Sequence, residues 1–307
     1  MIDLKPLSKN PLVSIIVPSF NQGSFIRQTI ESILEQNYRP IEVWVIDGAS
    51  TDNTLEVLHK YDNVFEISWI SEPDSGVVEA VNKGLARAKG EIGGIQSSDD
   101  FYLPGAISVG VKELCSNLDL GFVFGDIIKI DSKGNELSHY ILKPFSVENV
   151  LSLQTWIPQP ACFFRMDLAK ELGGWREEVP YSADTDLWFR MMIKSKAKKI
   201  DVFMSKRRVH DKQRNTHVEK IIRDYNRMIN DLFERFGAMP SLRPAAEAGI
   251  LLLRNRYSCG EKEEIKFNRI EEAKNIFPSL KDALMPPPSI QTLLWEIFRR
   301  LKIKLLG

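Results

Sequence analysis

Two adjacent aspartates, Asp99 and Asp100, follow the apolar segment 91–96, which ends before them. Like charges side by side repel each other unless a cation lies next to them. Mg²⁺ and Mn²⁺ favour carboxylate oxygens and usually keep coordination positions open for the phosphates of a substrate. The pair therefore predicts a divalent-metal site. The alternative without chemistry is a pair of turn-forming or helix-capping aspartates before Pro104.

A third acid, Asp47, closes the apolar segment 41–46, which has the length and composition of a buried strand. In open α/β sheets, ligands bind outside the carboxyl ends of the strands. We therefore expect Asp47 and the Asp99–Asp100 pair to lie at the same edge of one sheet.

The first half of the chain alternates between strand patterns and helix patterns. Strands are predicted at 12–17, 41–46, 64–70 and 91–96. Amphipathic helices are predicted between them, and Ser24 is the expected cap of the first. This alternation is typical of a parallel sheet with right-handed crossovers.

The pattern changes at Leu120. Short strands are predicted at 120–124 and 127–130, followed by a hairpin turn at 132–135. Further along, the sequence predicts a strand in the segment 159–164, a helix at 183–194, a basic strand at 198–208 and a mostly helical segment after His210.

Composition excludes several classes of protein. Lys plus Arg and Asp plus Glu both number 41, so no overall field favours nucleic acid as a partner. The three cysteines are odd in number and widely spaced, which argues against a disulfide framework or a zinc site. The N-terminal residues lack the apolar core of a signal peptide, and no apolar stretch has the roughly eighteen residues of a spanning helix. A cytoplasmic location is therefore expected.

Five short motifs occur in order: Pro18-Ser-Phe-Asn21, Asp47-Gly-Ala-Ser-Thr-Asp-Asn-Thr54, Ser71-Glu-Pro-Asp-Ser-Gly76, Asn82-Lys-Gly84 and Ser98-Asp-Asp100. Together with Asp184 and His210, this ordered set resembles the family 2 inverting glycosyltransferases of the GT-A fold. The resemblance implies an α/β, Rossmann-like mixed sheet, mostly parallel and flanked by helices, over residues 1–215. A helical C-terminal region at 216–285 and a tail at 286–307 carry no motif of the family.

The resemblance also implies a nucleotide-sugar donor. It assigns Asp47 to the base, Asp99 to the ribose, and the remaining donor contacts to Pro18, Asn21, Asn82 and Lys83. Lys83 is equally well explained as a solvated helix lysine. A carboxylate accepts a hydrogen bond from an imide N–H, which favours uracil and hence a UDP-sugar. Many relatives have a second Asp where this chain has Gly48, so the identity of the base stays open.

The remaining assignments concern the metal and the chemistry. The resemblance implies that Asp100 and His210, with His217 as the alternative histidine, hold Mn²⁺ or Mg²⁺ at the leaving diphosphate. It implies that an Asp at the start of the predicted helix 183–194 is the base. Asp184 shares a helix face with Leu187, Trp188 and Met191 and should point towards the packed side.

Asp186 lies four residues before Arg190, which is typical of a surface ion pair. Asp184 is therefore the predicted base, and Gln159 and Asp186 are predicted acceptor contacts. Phe163 is expected either near the acceptor or, more simply, in the core.

The predicted acceptor is a saccharide or a lipid-linked molecule, as in the assembly of polysaccharides or glycolipids. The alternatives are a catalytically inactive nucleotide-sugar-binding or interaction protein on the same fold, or a sugar nucleotidyltransferase. A homo-oligomer is compatible with the sequence. In the tail, Ser289–Leu306 forms a basic amphipathic pattern. Such a helix binds an anionic membrane surface, here the inner face of the cell membrane, or docks on protein.

Overall fold

The computed structural model describes residues 4–210, 217–257 and 261–282. Within these ranges the chain forms a nine-stranded mixed sheet with the order β3-β2-β1-β4-β8-β6-β9-β5, and β7 pairs with β6. The strands are β1 Val13–Ser19, β2 Ile41–Asp47, β3 Ile67–Ser71, β4 Ile92–Ile95, β5 Phe101–Tyr102, β6 Leu120–Ile130, β7 Glu136–Tyr140, β8 Cys162–Arg165 and β9 Lys196–Arg208.

Ten α-helices are found in the same ranges. They are α1 Ile26–Leu34, α2 Thr54–Leu58, α3 Val77–Arg87, α4 Ala106–Ser116, α5 Val147–Leu151, α6 Met166–Glu171, α7 Ala183–Lys194, α8 Val218–Glu234, α9 Arg243–Tyr257 and α10 Glu263–Ile276. None of these helices is both long and apolar enough to cross a membrane.

Strands β1 to β4 are parallel, as predicted, and the pairs β4–β8, β6–β8, β5–β9 and β6–β7 are antiparallel. The parallel pair β6–β9 adds a second parallel segment. The predicted mixed, mostly parallel sheet is confirmed. Because β1 and β2 end side by side, with Ser19 opposite Asp47, their following loops meet at one edge.

Alternation along β1 explains why this strand lies at the centre of the sheet. Ile15 and Val17 pack into one hydrophobic cluster, and Ile16 packs into the other. Successive side chains of a strand point to opposite faces, so a continuous apolar segment serves two layers of helices.

Three local predictions differ from the structure. The strand predicted to begin at residue 64 begins at Ile67. The two strands predicted at 120–124 and 127–130 form one strand, β6, because the ladder with β9 continues through Asp126, with a register shift on each side of that residue. Ser24 does not cap α1; the N–H groups of Phe25 and Ile26 bond to the carbonyl oxygen of Gln22 instead.

The helical C-terminal region packs against the sheet. Tyr225 and Met228 of α8 and Ala245 of α9 belong to the same hydrophobic cluster as Phe122 of β6. These helices therefore extend the core of the sheet, and the boundary at residue 215 stays a prediction. The predicted tail at 286–307 lies outside the described residues.

Candidate active site

A cleft of about 900 Å³ opens beside the carboxyl ends of the central strands. Six residues predicted from the sequence line it: Pro18, Asp99, Asp100, Gln159, Asp184 and His210. Segments more than one hundred residues apart in the chain therefore contribute to one cavity. The predicted convergence at a single sheet edge agrees with this geometry.

The Asp99–Asp100 pair is held against the end of β9. The backbone N–H of Arg208 donates to Oδ1 of Asp100 at 2.7 Å, and Nε2 of His210 lies 3.0 Å from Oδ2 of Asp99. Asp100 is only 4% exposed. Burial, and then the adjacent charge of Asp99, raise the pKa of Asp100 well above its ordinary value. The ionised form of Asp100 is therefore destabilised, and a bound cation would stabilise it.

These residues fit a divalent cation that completes its coordination on a substrate. No group of three or more His, Cys, Asp or Glu side chains in the described ranges forms a self-sufficient metal cage. Mg²⁺ is commonly bound by one or two carboxylates together with substrate phosphates. A buried, destabilised carboxylate at Asp100 beside Asp99 and His210 is a suitable partial donor set. His217, the alternative histidine, packs instead against the ring of Tyr181 at 5.5 Å.

Asp47 is fully buried and organises two loops at the edge of the cleft. Its carboxylate accepts hydrogen bonds from the Ser50 N–H at 2.9 Å, the Ser50 hydroxyl at 2.5 Å and the Ser71 hydroxyl at 2.7 Å. Asp47 is not among the residues that line the cleft. Its predicted contact with a base stays a prediction.

Asn21 orders the same region. It has a left-handed φ of 54°. Its side-chain oxygen accepts a hydrogen bond from the Thr51 N–H at 2.8 Å, and its own N–H donates to the Ser50 hydroxyl at 2.7 Å. Asn21 thus joins the loop after β1 to the loop after β2, and its predicted donor contact stays a prediction.

Asn82 and Lys83 are not among the residues that line the cleft, and their predicted contacts with nucleobase and diphosphate stay predictions. The amide of Asn82 makes two hydrogen bonds with the backbone of Trp175, at 2.8 and 2.9 Å. The ammonium of Lys83 lies 2.8 Å from the carboxylates of both Glu72 and Glu79. Asn82 therefore fixes α3 to the loop before α7, and two acidic side chains hold Lys83.

Asp184 lies half-buried in the first turn of α7 and faces the cleft. Burial raises its pKa. Hydrogen bonds from the N–H and hydroxyl of Thr185 and the charge of Arg207 oppose this shift only in part. A carboxylate in such surroundings is a stronger base than an exposed aspartate.

Asp186 was expected on the surface, and this prediction is wrong. Asp186 and Arg190 are 0% and 1% exposed, with Nε of Arg190 donating to Oδ2 of Asp186 at 2.7 Å. Arg176 lies 3.1 Å from the other carboxylate oxygen and 2.8 Å from Asp231 of α8. Asp186 faces the packed side of α7, and Asp184 faces the cleft. Apolar residues occur on nearly every face of this helix, so its periodicity did not distinguish the two acids. Asp186 is not among the residues that line the cleft, and its predicted acceptor contact stays a prediction.

Gln159 lies at the cleft wall next to the central strands. Its amide nitrogen donates to the carbonyl oxygen of Ile95, and its oxygen accepts from the Ser97 hydroxyl at 3.2 Å. Phe163 is fully buried, which confirms the core interpretation for that residue. The predicted acceptor contact of Gln159 stays a prediction.

The family model described as Glycosyl transferase family 2 matches residues 14–173, which is more than half of the chain. The chain belongs to glycosyl transferase family 2.

Sequence relatives of this family 2 chain include several of greater length. It is 29% identical over 244 residues to a chondroitin synthase of Escherichia coli, covering 77% of this chain and 34% of that protein. It is 28% identical over 220 residues to a hyaluronan synthase of Pasteurella multocida, covering 70% of this chain and 22% of that protein. The chain thus spans about a third or less of these two relatives. An uncharacterized glycosyltransferase of Rickettsia typhi is 31% identical over 68% of each chain.

Solved structures support the GT-A fold. S. aureus TarS 1–349 in complex with UDP-GlcNAc superposes with a TM-score of 0.67, at 15% identity, over 89% of this chain and 83% of that one. The mannosyltransferase PcManGT from Pyrobaculum calidifontis, in complex with GDP-Man and Mn²⁺, gives 0.64 at 20% identity, over 98% and 83%. The family 2 chain therefore has the GT-A fold.

Several cleft residues of the family 2 chain were missed from the sequence. Asp74 is one of them: a Cβ atom added to Gly48 would lie 2.8 Å from its carboxylate. Burial raises the pKa of Asp74. The carboxylate of Asp74 thus occupies the space that a side chain at position 48 would need. The absence of a second Asp at position 48 was the sequence signal that another acid could take its place. Trp156, Tyr181 and Arg207 gave no such signal, because only the folded chain brings them to the cleft.

The buried ion network predicts a difference between the two acids of α7. Replacing Asp186 with Ala leaves Arg190 buried without its partner, so we expect the free energy of unfolding to fall by about 3–5 kcal/mol. The matched change Asp184→Asn removes a carboxylate that burial destabilises, and it should leave stability unchanged or slightly higher. Urea unfolding followed by circular dichroism measures both. Equal losses for the two variants would contradict the assignment of Asp186 to the network.

Proposed function

We propose that this chain transfers a sugar, with inversion, from a nucleoside-diphosphate sugar to a hydroxyl acceptor in the cleft, using Mn²⁺ or Mg²⁺. The observation that carries this proposal is the shared cavity: Asp100, which fits a metal, and Asp184, which fits a base, line the same cleft. A donor and an acceptor bound between them would be within reach of both groups.

Relatives support the substrate class. TarS and PcManGT have been solved with UDP-GlcNAc and with GDP-Man, respectively, and the sequence relatives include chondroitin and hyaluronan synthases. Assembly of a polysaccharide or glycolipid is therefore the proposed context, with a saccharide or lipid-linked acceptor. A location at the inner face of the cell membrane, reached through the tail, belongs to the same proposal.

The subsite for the nucleobase of the donor is assigned to the region around Gly48. Asp74 lines the cleft there, and the buried Asp47 is close enough for its charge to act on Asp74. A carboxylate acceptor suits the imide N–H of uracil. We therefore propose a UDP-sugar as donor, with Asp74 supplying the carboxylate that position 48 lacks.

In the proposed reaction, Asp184 accepts the proton of the acceptor hydroxyl. The oxygen of that hydroxyl attacks the anomeric carbon from the face opposite the diphosphate, and the bond to the diphosphate breaks. A single displacement of this kind inverts the anomeric configuration. A bound divalent cation would supply charge stabilisation to the leaving group, and Asp100 with His210 would hold it. Asp99 keeps His210 in place through their 3.0 Å contact.

Replacing Asp184 with Asn should leave donor binding intact and lower kcat by about 10²–10⁴-fold, because a positioned general base contributes that much. The slow hydrolysis of a panel of nucleotide sugars by water needs no known acceptor. It is measured as the rate at which the nucleoside diphosphate is released. Glu178→Gln, an exposed acid outside the cleft lining, is the matched control. A wild-type rate for Asp184→Asn would exclude it as the base.

Metal-dependent donor binding should depend on Asp100. We expect UDP with Mn²⁺ to raise the Tm of the wild-type protein, since a ligand that binds only the folded state stabilises it. The shift should disappear in Asp100→Asn and persist in Asp119→Asn, which changes an exposed acid paired with Lys196. GDP and dTDP run in parallel test the preference for uracil. An unchanged shift in Asp100→Asn, with or without a chelator, would refute the ligand assignment.

The pH dependence follows from the raised pKa of Asp184. A base acts only when deprotonated, so kcat should fall as the pH drops through the pKa of this group. That fall should begin at a higher pH than for an exposed aspartate, because burial raises the pKa. A pH–rate profile at saturating donor separates this effect from protonation of Asp100, which would act on donor KM. A profile flat down to the ordinary aspartate range would contradict the assignment.

A further inference from the structure

Two positive side chains, Lys129 and Arg207, lie next to each other in the sheet, and Arg207 lines the cleft that also contains Asp184. Lys129 of β6 and Arg207 of β9 are register partners in neighbouring parallel strands, so their side chains share one face of the sheet. Like charges placed opposite each other are unfavourable. As with the Asp99–Asp100 pair, such a placement calls for a counter-ion.

Two aromatic rings complete the cluster. The Lys129 ammonium lies 4.9 Å from the Tyr140 ring, and the Arg207 guanidinium lies 5.6 Å from the Trp156 ring. The two rings contact each other edge to face, with centroids 5.7 Å apart. Trp156 and Arg207 line the cleft.

The neighbouring basic residues of β9 have protein partners. Lys206 lies 2.8 Å from the carboxylate of Glu136, and the guanidinium of Arg208 donates to the Gln28 side chain and to backbone oxygens, including that of Asp99. Among residues 4–210, 217–257 and 261–282, no acidic side chain forms an ion pair with Lys129 or Arg207. Neither of these two cations therefore has an ion-pair partner within the described ranges, although the charge of Arg207 acts on the carboxylates of Asp100 and Asp184.

The surroundings destabilise the charged form of Lys129, so a bound anion would favour it. Burial lowers the pKa of Lys129, and the nearby charges of Arg207 and Arg256 lower it further. The Arg207 charge also acts on Asp184, where it partly offsets the effect of burial. The cluster is thus close to the proposed base, within the same electrostatic environment.

We propose that Lys129 and Arg207 bind an anionic group of the acceptor, a phosphate or a carboxylate, while Trp156 and Tyr140 pack against its sugar ring. This inference rests on the proposed function, because it takes Asp184 as the acceptor end of the cleft. Successive residues of a strand point to opposite faces. Arg208 accordingly faces Asp99 and Gln28 at the metal end, and Arg207 faces Trp156.

The test uses the full chain saturated with UDP and Mn²⁺, so that the diphosphate subsite is filled. Two matched pairs of probes are titrated by NMR: glycerol 1-phosphate against glycerol, and methyl glucuronide against methyl glucoside. At least one anion should bind about tenfold more tightly than its neutral partner. A hydrogen bond to a charged group contributes enough free energy for a change of this size in Kd. The phosphate and carboxylate arms distinguish a phosphorylated acceptor from a uronic acid.

Arg207→Gln and Lys129→Gln should each abolish the preference for the anion, whereas Lys206→Gln, the paired neighbour on β9, should keep it. Lack of any preference in the wild-type protein would overturn the inference. Binding of the anions only in the absence of UDP would also overturn it, because the cluster would then serve the donor diphosphate. If UDP itself fails to bind with Mn²⁺, the proposed function fails instead.

Discussion

The cleft depends on the hydrogen bond from the Arg208 backbone N–H to the Asp100 carboxylate, which joins positions 108 residues apart. The guanidinium of the same arginine contacts the carbonyl oxygens of Asp99 and Asp131 and the side chain of Gln28. One residue at the end of β9 thus ties together the loop after β4, the turn of the β6–β7 hairpin and helix α1. These contacts bring the end of β9, and with it His210, beside Asp99.

Three carboxylates that are fully or partly buried differ in the contacts that offset the cost of their burial. Asp186 is compensated by two arginines, so it stabilises the junction of α7 and α8 only as part of a complete network. Burial raises the pKa of all three groups. Asp100 and Asp184 are compensated by hydrogen bonds, from the Arg208 N–H and from Thr185, rather than by an arginine ion pair within the described ranges. Their incomplete compensation is typical of functional positions, where stability is given up for reactivity.

The sequence predicted the sheet well because β1, β2 and β4 are continuous apolar segments with clear ends. The acids after those strands, Asp47, Asp99 and Asp100, were placed correctly at the sheet edge for the same reason. Side-chain direction on helices was predicted poorly. Periodicity identifies a buried face only when a helix has one, and α7 is apolar almost all round, so Asp186 was expected on the surface although it is buried. Residues such as Arg207 and Trp156 depend on the β6–β9 pairing, which no local pattern reveals.

Alternation along β9 gives the cleft two chemically distinct ends. Arg208 points to the face with Gln28, Phe25 and the Asp99–Asp100 pair, and Arg207 points to the face with Trp156. A shift of the β9 register by one residue would exchange these two positions and disturb both ends together. The register shifts near Asp126, where the ladder skips Gly125, therefore fix more than the curvature of the sheet. They determine which arginine holds the loop with Asp99 and Asp100 and which one faces the proposed base.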